Sequence, residues 1–329
     1  MDSLREISYS RLHQMPQTLK PHALSPGDSV RILSLSSPVD EHRLERGREE
    51  IARLGYSPVF DREQVLASES FFAGSPASRL CALKTALAEP ATRAIICSRG
   101  GYGSNYLLDG LSIALASPKI VLGFSDVTSL LILLWQKFRW VTFHGPMVAA
   151  GLHKGAAAEE GYDRPSLLRA ITETREGWKI GLEGEPLSAG EAKGILLGGC
   201  LTLVEATLGT PWELDTQGAI LILEDRGMKP YQVDRSLMHL KQAGKFRGVA
   251  GVVLGDFPDC EAAPGAESVK DVARRILGPL EIPVFWGAPI GHTKRPALTL
   301  PLGVRASLSV TDRGGTSSDL EILEPAVVA

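Results

Sequence analysis

The 329-residue chain lacks most of the features that place a protein in a special class. Its four cysteines, Cys81, Cys97, Cys200 and Cys260, are too scattered for a thiolate metal site. Cys97 and Cys200 fall in apolar segments, so reduced core thiols and a cytoplasmic protein are expected. No apolar run is long enough to span a bilayer, so no membrane partner is expected. The first residues, "MDSLREISYSRLHQMPQTLKPHAL", lack an apolar core and are not expected to act as a signal peptide. Lys and Arg number 35 against 38 Asp and Glu, a net charge of -3, so no overall field attracts nucleic acid. The pattern H-E-x-x-H is absent and no His/Asp cluster has ligand spacing, so neither metal nor cofactor is expected. "RGGYGS" at 99–104 follows an apolar run but fits neither the Walker nor the dinucleotide glycine pattern.

What is present is ordinary material for a large core. The chain is 44% hydrophobic and 22% charged, and its length suits two domains or one large one. Short apolar runs at 30–35, 94–97, 120–123, 219–223, 249–254 and 284–286 read as buried strands. Helical spacing covers 41–54, 75–87 and 128–137 between or after the early runs. That alternation predicts an α/β fold with a parallel sheet in the first 150 residues. From 151 to 190 the chain turns rich in Gly, Ala, Glu and Pro, with one helix near 166–174, and reads as a linker. A strand-rich second domain with a helix at 232–242 is expected over 191–329, and residues 1–18 as an N-terminal extension.

Three places could carry chemistry. In "VLGFSDVTSLL", Ser125 follows a strand and precedes a helix. A serine nucleophile needs that exposed strand-to-helix turn with backbone N–H groups nearby. Val127 stands where an α/β-hydrolase elbow has its second glycine, and Ser or Asp at a helix start is equally a routine N-cap. In "AILILEDRG", Glu224 ends a buried strand, placed to orient a histidine or to pair with Arg226 or Lys229. In "GAPIGHTKRP", His292 sits on a loop among Gly and Pro, suited to acid–base work near neutrality. His144 in "FHGPM" is a rival; His13, His22, His42 and His153 lie in polar or terminal stretches, and His239 in a helical one.

Taken in order, "LKPHALSPGDSVRILSLSSPV", "FFAGSPASRLCALKTALAEPATRAIICSRGGYGSNYLL", "VLGFSDVTSLL", "FHGPM", "GTPWELDTQGAILILEDRGMKPYQVDRSL" and "GAPIGH" closely resemble the LD-carboxypeptidase family of serine peptidases. That family includes muramoyltetrapeptide carboxypeptidases and microcin C self-immunity peptidases. The resemblance covers roughly nine-tenths of the chain. It implies an N-terminal flavodoxin-like domain over 19–150, a C-terminal α+β domain, and an active site in the cleft between them. It implies a Ser125–Glu224–His292 triad, an oxyanion hole from the backbone N–H groups of Asp126 and Gly101, and substrate contacts from Arg99, Gly100 and Tyr102, with the Asp126 side chain as a further candidate. The two glycines would let backbone approach the substrate. The implied reaction releases terminal D-alanine from peptidoglycan-derived tetrapeptides in murein recycling, by a homodimer. The alternatives are a peptide–nucleotide hydrolase, with Trp178, Trp212 or Trp286 stacking on the base, and a catalytically silent muropeptide-binding protein. "GGC" at 198–200 stands where members show "GGN", so Cys200 removes an amide that could bond neighbouring backbone and alters local cleft detail without touching the triad.

Overall fold

The structure, a computed structural model, describes residues 18–112, 117–312 and 318–329. All of the expected N-terminal extension except Thr18 lies outside the described residues. The strands in chain order are β1 (Ser29–Leu33), β2 (Ser57–Val59), β3 (Thr92–Cys97), β4 (Ile120–Gly123), β5 (Thr142–His144), β6 (Trp178–Gly181) and β7 (Glu185–Ser188). They continue with β8 (Gly190–Cys200), β9 (Ala219–Glu224), β10 (Gly251–Gly255), β11 (Val284–Ala288), β12 (Leu300–Leu302), β13 (Arg305–Val310) and β14 (Asp319–Ile322).

They form two sheets. The first has the order β12-β5-β4-β3-β1-β2, parallel throughout except for its β12 edge. Without β12 this is the 2-1-3-4-5 order of the flavodoxin-like fold, whose ligands sit beyond the carboxyl ends of the strands. The second has the order β6-β14-β13-β8-β9-β10-β11-β7, with parallel pairing from β8 to β11 and antiparallel flanks. The central strands are buried along their length: all six residues of β9 and all four of β4 are buried. Both faces covered is what a parallel sheet requires.

Two expectations about domain boundaries are corrected. Residues 151–190 do not form a linker: they hold the helix Arg164–Thr172 and the strands β6 and β7, which are the two edges of the second sheet. Edge strands bury one face at most, as the alternation of Trp178 to Gly181 shows, so their composition reads as loop. Nor does 191–329 stay in one domain. β12 returns to the first sheet, where Leu300 pairs with His144 and Leu302 with Thr142.

Helix starts follow local chemistry. Asp40 accepts from the Arg43 backbone N at 2.9 Å and caps Glu41–Arg53, and Ser75 caps Pro76–Ala88 with proline in its first turn. Thr128–Phe138 is almost wholly buried and begins without any side-chain cap. Neither Ser125 nor Asp126 caps it, so the capping reading of this turn is overturned.

Candidate active site

Three loops from the first sheet meet at Ser125, each leaving the carboxyl end of a strand. Ser125 opens a short 3-10 turn (Ser125–Val127) directly after β4 and Phe124, with φ of 61°. A left-handed serine is uncommon, and such strain clusters at functional turns. After β3, Gly100 packs on it so closely that a Cβ at residue 100 would lie 2.7 Å from Ser125 Cβ and 2.9 Å from its Oγ. The glycine therefore makes room for Ser125 itself, where the sequence suggested room for substrate. After β1, Ser36 Oγ donates to Asp126 Oδ2 at 2.6 Å, and the Ser104 N–H donates to the same oxygen at 2.8 Å. Ser104 Oγ also donates to the Asp126 carbonyl at 2.5 Å. The Asp126 side chain is thus a buried staple joining three loops and does not line the cavity that holds Ser125. Buried Arg79, which donates to the carbonyls of Leu35 and Gly103, offsets its charge.

The second sheet supplies the other half. Glu224, the last residue of β9, is fully buried. Its Oε2 accepts from His292 twice, from Nδ1 at 2.8 Å and from the backbone N at 2.9 Å. Gly291 permits this approach: its φ is 58°, and a Cβ there would lie 2.2 Å from the carboxyl carbon of Glu224. Burial alone pushes Glu224 up, but the charge and hydrogen bonds of His292 outweigh it and the carboxyl sits below its ordinary value. Burial alone would lower His292; the Glu224 charge and hydrogen bond outweigh it, and the imidazole sits above its ordinary value. With Glu224 ionised, Nδ1 carries the hydrogen and Nε2 of the neutral ring has a free lone pair. Arg226 and Lys229 do not take Glu224; Arg226 pairs with Asp259 at 2.7 Å.

Ser125 and His292 line one cavity of about 540 Å³ between the two sheets, with Arg99, Gly100 and Gly101 on its wall. That volume suits a small-molecule or short-peptide ligand. Among the described residues Ser125 Oγ makes no side-chain hydrogen bond, and the hydroxyl shares this cavity with the imidazole. Phe124 sets its ring edge-on to His292, with centroids 5.0 Å apart. Tyr102 is half-exposed and joins Phe71, Phe72 and Tyr106 in an aromatic cluster; it does not line the cavity. Trp178, Trp212 and Trp286 do not line it either. Trp178 is buried on β6, Trp212 lies under Lys137, and Trp286 stacks on Phe257. Among the described residues no group of His, Cys, Asp and Glu could hold a metal ion, and no helix is long and apolar enough to cross a membrane.

Other polar and titratable groups surround these residues. Cys200 lines the cavity at the end of β8, but burial pushes its thiol well up, with Glu224 and Asp225 adding, so it is no rival nucleophile. Its backbone N donates to Thr128 Oγ1 at 3.2 Å. Asp225 accepts from the backbone N and Oγ1 of Thr202, at 2.9 and 2.7 Å. His144 is fully buried behind Glu224, its Nε2 3.9 Å from Oε1, and neither atom has a hydrogen-bond partner. Burial lowers His144 to about 4, so it is neutral near pH 7. His153, expected in a polar stretch, is buried as well.

The family model of the LD-carboxypeptidase N-terminal domain matches residues 30–145, and that of the C-terminal domain residues 193–308. The chain is 37% identical to a putative carboxypeptidase of Streptomyces coelicolor, over 93% of this chain and 97% of that one. It is 31% identical to a probable murein peptide carboxypeptidase of Bacillus subtilis, over 89% and 92%. Among solved structures, a muramoyltetrapeptide carboxypeptidase from Oxalobacter formigenes superposes with a TM-score of 0.78 at 27% identity, covering 90% of this chain and 99% of that one. An MccF-like protein from Bacillus anthracis gives 0.80 at 25% identity, covering 92% and 99%. Both domain models and near-full-length relatives agree with the two-sheet architecture, and the chain belongs to the LD-carboxypeptidase family of serine peptidases.

Proposed function

We propose that this protein is a cytoplasmic LD-carboxypeptidase that removes the terminal D-alanine from peptidoglycan-derived tetrapeptides, with Ser125 as nucleophile, His292 as acid–base and Glu224 as its orienting carboxylate. The observation that carries the reading is the buried Glu224–His292 hydrogen bond at 2.8 Å beside the free Ser125 hydroxyl in one cavity. The names of the Bacillus and Oxalobacter relatives support the substrate class.

The steps follow from the geometry. His292 Nε2 takes the Ser125 proton as Oγ attacks the scissile carbonyl, and Glu224 stabilises the imidazolium through Nδ1–H. The oxyanion is met by the N–H of Asp126, at the start of the 3-10 turn, and by that of Gly101. His292 then protonates the departing amine of D-alanine, and water releases the acyl group from Ser125 by the reverse use of the same base. Arg99, exposed on the cavity wall, is placed for charge on the retained peptide. No tryptophan in the cavity favours a nucleotide-conjugate substrate. A homodimer is suggested by the family likeness alone.

Wild type and Ser125→Ala, each incubated with a mixed muropeptide pool, separate the readings by mass spectrometry. Loss of one terminal alanine from tetrapeptides with wild type only is expected, and the products also report diaminopimelate or lysine at the third position. No product from wild type would leave a binding protein; equal product from both would remove the serine mechanism.

A further inference from the structure

The cleft has a second lobe. A cavity of about 200 Å³ adjoins the first and shares with it Arg43, Phe124, Ala149, Ala150, Arg226 and His292, while Ser125, Gly100 and Gly101 line only the larger one. His292 therefore stands at the junction. The group that His292 protonates is the leaving amine, so the leaving group must lie on the His292 side, away from the retained acyl part on Ser125. In a carboxypeptidase the departing residue bears a carboxylate on the carbon next to that amine. The carboxylate consequently enters the second lobe.

The charges of that lobe fit it. Its wall holds Arg43, Lys154, Arg226 and Lys294 against only two acids, Glu160 and Asp259. Lys154 pairs with Glu160 at 3.3 Å, and Asp259 takes both Arg226, at 2.7 Å, and Lys294, at 3.4 Å. Among the described residues, Arg43 alone of the four has no acidic partner. Its neighbour Asp40 is engaged in capping the helix Glu41–Arg53. Buried His153, also on this wall, is held down to about 4, chiefly by burial and then by Arg43 and Lys154. It stays neutral and leaves Arg43 as the unpaired cation.

Resting on the function proposed above, we propose that this lobe is the leaving-group subsite and that Arg43 binds the free C-terminal carboxylate of the substrate, making it a specificity-determining residue. A guanidinium and a carboxylate meet through two parallel N–H···O bonds, which a C-terminal amide cannot reproduce.

The test compares kcat/KM for a muramoyl tetrapeptide with that for the same peptide ending in D-alanine amide, in wild type, Arg43→Gln and Arg43→Lys. Wild type should prefer the free acid by about 10–100-fold, the range for one charge-assisted contact. Arg43→Gln should bring that ratio close to one, mainly through KM, and Arg43→Lys should keep part of it. A ratio in Arg43→Gln equal to that of wild type would overturn the subsite. Wild type that cleaves neither peptide would instead remove the function on which the subsite rests.

Discussion

The two halves of the cleft are built differently. The second-sheet half is locked: Glu224 is fully buried, and His292 places two donors on one of its oxygens. The first-sheet half is positioned but open: backbone packing and the Asp126 staple fix the Ser125 turn, yet the hydroxyl itself is unbonded. The difference follows from what each half must hold. A buried carboxylate that must stay charged needs its partner at all times, because an unpaired buried charge is costly. A neutral hydroxyl at the cavity surface carries no such cost, and it can complete its bond to the imidazole once substrate excludes water.

Removing the charge of the locked half should have a large effect. Glu224→Gln keeps the shape but removes the charge, and D-alanine release should fall by about 10³–10⁴-fold, as in other triads that lose their carboxylate. The sign of the pH effect follows from His292. Its imidazole is raised by Glu224, so the wild-type rate should rise with pH as His292 loses its proton above the ordinary histidine value of about 6.5. Without the carboxylate, that acid limb of the kcat/KM profile should move to lower pH. An unmoved limb would mean that Glu224 does not tune the base.

A smaller effect comes from behind the locked half. His144 is buried and lowered to about 4, whereas in the unfolded chain it titrates near 6.5. The unfolded state therefore takes up the proton first. Stability should be full above pH 6.5, decline as pH falls toward 4, and lose about 3 kcal/mol from this group, at about 1.4 kcal/mol for each pH unit. Urea unfolding at pH 7 and pH 4.5 measures the decline. His144→Gln should flatten it, and an equal slope in both proteins would remove His144 as the cause.

Much of the scaffold was readable beforehand because parallel strands buried on both faces leave continuous apolar runs. The runs at 120–123 and 219–223 fall within β4 and β9, the strands that deliver Ser125 and Glu224. The edges were not readable: β6 and β7 carry too few buried residues to differ from loop. At the site, residue type and strand-end position picked out Ser125, Glu224 and His292 as candidates, and their joint likeness to one family linked them. Their supports were hidden because Ser36, Ser104 and His144 act through contacts at 22 or more positions' remove, as with Ser36 and Asp126, 90 residues apart, and Arg43 through the lack of an acidic partner among the described residues. Asp126 was misread for the same reason: a carboxylate after a catalytic serine looks available until Ser36 and Ser104 are seen to occupy it.

The central claim is that the two halves act as one unit, and a mutant cycle on D-alanine release tests it most directly. Ser125→Ala and His292→Ala should each reduce kcat by about 10⁴–10⁶-fold, and the double variant should be no slower than either single one, because removing either part already disables the unit. Losses that multiply in the double variant, or a Ser125→Ala protein as fast as wild type, would contradict it.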